Sequence, residues 1–251
     1  MCIFSRPVQF VSGTNIFARP DADGRQVLVY SMTLKAKEDL AMVLPLPVKP
    51  ASGEKAVRFF DLKGYPEFFI DLARGFPSLQ RDSADTRSRP AGPAKGKLEV
   101  VSVGDFEASY VPTVNDFSRL DERFRLPEGT WEKLPAYRSY GFAVFKLKPA
   151  AATIHPMAFS FPRAESASLF FPTVHIHDRQ VHPKAKFDHA LYCQSGPEEE
   201  FAVLGWQESP RPANAFMQMG KTKGLIGGER HCYKKELRGM LANRDTVLQA
   251  A

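Results

Sequence analysis

The chain has 251 residues, 43% of them hydrophobic and 25% charged. Those are the proportions of an ordinary globular protein, long enough to build a core without disulfides or metal. No run of about 18 apolar residues occurs, which excludes a helical membrane span. The net charge of +6 comes with no basic module interleaved with aromatic residues. The sequence therefore carries no specific nucleic-acid signal and implies only weak attraction to anionic ligands.

The opening, Met1 to Pro7, shows no charged segment leading into an apolar stretch, so no export signal is expected. Three cysteines, Cys2, Cys193 and Cys232, form no spaced set and cannot all pair, which points to a reducing cytoplasm. Twenty phenylalanines against seven tyrosines and two tryptophans favour packed sheets.

In chain order, 2–11 and 14–19 read as a hairpin around Ser12-Gly13. A turn at Asp21–Gly24 leads into a strand over 26–34. The run 41–48 begins as a strand, but Pro45 and Pro47 cannot donate to a ladder, which predicts an edge position or an exit from the sheet. A helix is predicted over 65–76, with Pro66 in its first turn. Residues 78–97 lose their apolar character and read as a flexible loop. A second hairpin, 98–103 with 106–111, turns at Gly104-Asp105. Thr113 or Asn115 caps a short helix reaching Phe124. Strands follow over 140–147, 154–161, 169–177, 187–194 and 201–206. The basic stretch 221–244 reads as a solvated face, its Gly224–Gly228 run as a flexible turn, and the tail after Arg244 as loose. The predicted fold is α+β and strand-rich, with antiparallel sheets and a few short helices, in a single domain over 1–251.

Five of the six histidines fall between 155 and 189: His155, His175, His177, His182 and His189. His175 and His177 are two apart in a strand, so both face one way. That spacing lets two imidazoles reach one ion, and His182 or His189 supplies a third nitrogen. Such a set suits zinc or non-haem iron. The competing readings are a polar pocket without metal, or histidines that are hydrated and never meet. His189 and Cys193 share a face but lie about 13 Å apart along a strand, too far to act together.

A second centre lies at Cys2. Removal of Met1 would expose an α-amine that accepts the thiol proton and leaves a nucleophilic thiolate. Met1-Cys2, then Gly13-Thr14-Asn15-Ile16-Phe17-Ala18-Arg19-Pro20-Asp21, resembles the start of N-terminal-nucleophile amidohydrolases of the choloylglycine-hydrolase type. The resemblance covers about 20 residues and implies Cys2 as nucleophile with Arg19 and Asp21 in support. Val43–Pro47, Phe59–Leu62, Phe142–Leu147 and His155–Phe159 resemble a bacterial family of unknown function, the DUF2330 type, which implies a β-rich fold and no activity.

Three readings thus remain open: a metal-dependent protein using the histidines, an amidohydrolase acting on a C–N bond through Cys2, and a non-enzymatic binding protein with a buried Cys2. The third carries the fewest requirements.

Overall fold

The computed structural model describes residues 2–77, 101–103, 106–126, 129–148, 150–178, 180–196 and 199–251. The first half builds β1 (Cys2–Phe4), β2 (Phe10–Asp21), β3 (Arg25–Ala36), β4 (Leu40–Leu46), β5 (Arg58–Asp61), helix α1 (Phe68–Arg74), β6 (Val101–Val103) and β7 (Phe106–Val111). The second half adds β8 (Gly141–Leu147), β9 (Ala150–Thr153), β10 (Met157–Pro162), β11 (Ser168–Phe171), β12 (His175–Ile176), β13 (Lys184–Cys193), β14 (Gln207–Glu208), β15 (Tyr233–Ala242) and β16 (Thr246–Gln249). The strand-rich α+β expectation is met. One sheet runs β12-β1-β4-β8-β7-β6, a second runs β14-β15-β13-β2-β3-β10-β5 with β9 alongside β3, and β11 and β16 form a small third. Pairing is antiparallel except at β1–β12 and β2–β13, which are parallel.

Side-chain alternation explains the layering. Leu28, Tyr30, Met32 and Leu34 of β3 point inward with Leu40, Met42, Leu44 and Leu46 of β4, and with Phe145 and Phe159, to make the core between the sheets. The intervening Val27 and Val29 face outward, under α1 and residues 213–232. On the first sheet, Ala41 and Val43 face outward beneath Phe117, Leu120, Phe124 and Tyr137. Both sheets are therefore covered on both faces: β4 reads as an unbroken apolar run, and β3 is buried along most of its length.

Several expectations change. Ser12-Gly13 is a bulge inside the continuous strand β2, with Gly13 at φ +56° and a register shift between Ser12 and Asn15. β4 is central, between β1 and β8. Pro45 is tolerated there because the register with β1 runs through Met42 and Val43, and at Pro45 the paired neighbour is Phe142 of β8. The helix is shorter than read, Phe68–Arg74. Residues 113–124 wind as 3-10 turns, and the Thr113 hydroxyl donates to the Asp116 carboxylate rather than capping backbone.

The run 169–177 divides at Pro172. β11 pairs with β16, whereas β12 pairs with β1. The run 154–161 starts later than read: its strand is β10, from Met157, and β9 lies ahead of the run. Residues 201–206 make one bridge, Phe201 to Ala250, and then a turn. The tail after Arg244 is not loose: β16 is its strand. The basic stretch holds β15, ten residues paired along the whole of β13. The 78–97 loop and Gly104-Asp105 lie outside the described residues, although β6 and β7 pair as the arms of the expected hairpin.

Candidate functional site

Ile176 of β12 packs into the outer layer of the first sheet. Strand alternation then sends His175 and His177 inward, toward the second sheet. On β13, Leu191 and Cys193 belong to the inner core, so His189 also points inward. Three of the sequence-predicted ligands thereby meet between the sheets. The ring centroids of His175 and His177 are 4.8 Å apart, and those of His175 and His189 4.6 Å. Nδ1 of His175 lies 3.2 Å from Nε2 of His177. Phe4 lies against His177, and Phe187 lies against both His175 and His189.

This apolar setting fixes the charge state. Burial, with repulsion from neighbouring imidazoles, lowers the pKa of His175 to about 3 and that of His189 to about 2. Burial brings His177 down to about 4, against the pull of Asp178 in the other direction. All three rings are neutral at pH 7. His189 is 1% exposed. Both its nitrogens, and Nε2 of His175, have no hydrogen-bond partner among the described residues. An unsatisfied buried polar group costs about 1–3 kcal/mol. Among the described residues, no three His, Cys, Asp or Glu side chains stand as a ready-made metal-ligand set.

The other predicted residues lie elsewhere. His182 is exposed, its Nε2 2.8 Å from Asp178 Oδ2. His155 stacks on Phe106, with centroids 4.4 Å apart. Cys2 contributes backbone to β1, where it pairs with His175; its side chain lies outside the described residues. Arg19 and Asp21 form a pair at 3.4 Å on β2. The Arg19 guanidinium donates to the carbonyls of Leu225 and Gly224. His189 pairs with Thr14 of β2, so Arg19 stands five residues further along, about 17 Å at the rise of a strand. The structure does not bring Arg19 and Asp21 to the histidines or to the level of Cys2. The glycine run 224–228 is likewise engaged: the Gly227 amide donates to Gln194, 2.9 Å away. Burial pushes the Cys193 thiol up and Cys232 up to about 12, so neither is a ready nucleophile.

Sequence reasoning missed what holds the histidine strand in place. The Asn243 side chain accepts from the His175 amide at 2.7 Å and donates to the carbonyls of His175 and His182. Asp245 is partly buried and accepts from the amides of Thr173 and Val174 and from the Tyr137 hydroxyl. Asp245 lies in the tail read as loose, and Asn243 in the basic stretch read as a solvated face. Their proximity to a turn after a strand was the one available signal.

No protein-family model matches the chain, and no curated protein matches it. Solved structures do resemble it in fold. A mutated baculovirus P35 after caspase cleavage is 13% identical, with a TM-score of 0.50 over 96% of this chain and 100% of that one. Baculovirus P35 itself gives 14% identity, a TM-score of 0.46 and 96% coverage of each chain. P35 in its complex with caspase-8 gives 12% identity, a TM-score of 0.47, and 95% and 96% coverage. At these identities the likeness is one of fold.

Proposed function

We propose that the chain is a non-enzymatic binding protein whose partner is a protease of the caspase class. The observation that supports this reading is the likeness in fold, along nearly the whole of both chains, to a P35 whose structure followed caspase cleavage. The side chains fit a binding role. The buried thiols Cys193 and Cys232 are held protonated. The buried arginines Arg25 and Arg163 are spent on backbone carbonyls and on the hydroxyl of Ser160 and the carboxylate of Glu199.

The test mixes the purified chain with purified caspase-8. Hydrolysis of a reporter peptide, the intact mass of the chain and co-elution on gel filtration are followed together. Loss of caspase activity in proportion to added chain, with a co-eluting complex, supports the reading. Full activity with no complex at micromolar concentrations overturns it. A chain that is cut and released while the caspase stays fully active is a substrate, and that outcome overturns it too.

A further inference from the structure

Three features stand out in the fold: the basic outer face of β13 and β15, the Asp245 brace, and the inward histidines. Asp245 is fully engaged in holding backbone. Lys234, Glu236, Arg238 and Asp188 on the strand face pair with one another. Among the described residues, the histidines alone keep buried side-chain polar atoms without partners.

We propose that His175, His177 and His189 together bind one first-row transition-metal ion of the class that favours imidazole, Zn²⁺ in the first instance. Two observations converge on it. First, Nδ1 of His175 and Nε2 of His177 are 3.2 Å apart. Two nitrogens on one tetrahedral zinc, each at about 2.0–2.1 Å, are about 3.3 Å from each other. The pair is thus already at ligand-to-ligand spacing. Second, His189 is almost wholly buried beside His175 with neither ring nitrogen hydrogen-bonded to a described residue. The three rings are not a closed triad as they stand. Binding would require the His189 ring to turn about its side-chain bonds, and no hydrogen bond to a described residue holds the ring where it is.

The surroundings set the ion's chemical class. Phe4 and Phe187 line the site, and an all-nitrogen set in an apolar shell disfavours Mg²⁺ and Ca²⁺, which take oxygen ligands. Asn243 fixes the His175 backbone on both sides of the residue, as a site that must hold ligand geometry requires. His182 and Asp178, although close in sequence, pair in solvent and stand outside the set. This inference is independent of the protease reading: a metal here would brace the two sheets whatever the chain binds.

The experiment titrates Zn²⁺ alone into the full chain after chelator dialysis, by calorimetry, with Co²⁺ as the visible-absorption probe. The expected result is one ion per chain. His177→Ala and His175→Ala, each checked for folding by circular dichroism, should weaken binding about tenfold or more. His182→Ala should leave it unchanged. X-ray absorption at the zinc edge on the unsubstituted chain reads the ligand shell without relying on a variant: imidazole nitrogens support the site. No saturable binding, an oxygen-only shell, or binding lost in His182→Ala and kept in His177→Ala overturns it.

Discussion

His175 and His177 share one contact, Nδ1 to Nε2 at 3.2 Å, so one neutral ring donates and the other accepts. A proton on the accepting nitrogen ends that arrangement, and a proton on either ring places a cation among Phe4, Phe187 and His189.

Stability should therefore fall on acidification earlier than carboxylates alone explain. The folded-state pKa values of about 4, 3 and 2 for His177, His175 and His189 lie below the ordinary histidine value. As pH drops through about 6.5, the unfolded chain takes up protons that the folded chain refuses. The stability from neutral burial is complete above that pH and is lost progressively below it. The loss is at most about 1.4 kcal/mol per pH unit for each histidine. Urea midpoints at pH 7.0 and 5.5 measure it. His189→Leu should lose less stability between those two values than the unsubstituted chain, and an identical loss would refute the assignment.

Asp245 binds three donors from two different segments: the Thr173 and Val174 amides and the Tyr137 hydroxyl. Asp245→Ala leaves all three unsatisfied in a partly buried place and should cost about 3 kcal/mol in denaturant unfolding. Tyr137→Phe removes one donor and should cost about 1 kcal/mol. In the double variant the two losses should fall short of adding, because they share a hydrogen bond.

Arg163 has a side chain 2% exposed and grips both Glu199 oxygens at 2.7 and 2.8 Å, together with the Ser166 carbonyl. A lysine keeps the charge but not the planar fork. Arg163→Lys should thus approach Arg163→Ala in thermal destabilisation, both at about 2–4 kcal/mol. Glu199→Gln should cost about 1 kcal/mol, since that carboxylate is partly solvated.

Gly75 ends α1 at φ −65°, an ordinary backbone angle, so its reason for being glycine lies in packing. A Cβ there would meet the Phe216 ring at 2.6 Å. Gly75→Ala should destabilise by about 1–3 kcal/mol through overpacking. Combining it with Phe216→Leu should recover part of that loss.

The parts legible in the sequence were those with local causes. β3 shows its apolar run, α1 its spacing, and His175 and His177 their shared face by the two-residue period of a strand. Gly13 was visible as a break, but a glycine at positive φ serves a bulge as well as a turn, and only the pairing of β2 with β3 decides between them. β15 was hidden because most of its residues are partly or fully exposed, leaving charges where alternation would mark a strand. The division of 169–177 between two pairings, and the arrival of His189 beside His175, depend on which sheet packs on which. No local pattern carries that.

The parallel pairing of Cys2–Ile3 with His175–Ile176 has a consequence in time. β1 emerges from the ribosome long before its outer neighbour β12, and the parallel contact of β2 with β13 is similarly deferred. Both joins close very long loops, the kind of contact that slows folding. Until they form, one side of β1 and one side of β2 present unpaired backbone to other chains. Association of nascent chains should be greatest in this interval and should fall once residues up to β13 are available, so synthesis rate and temperature should govern the yield of folded protein more strongly than substitutions on the finished surface.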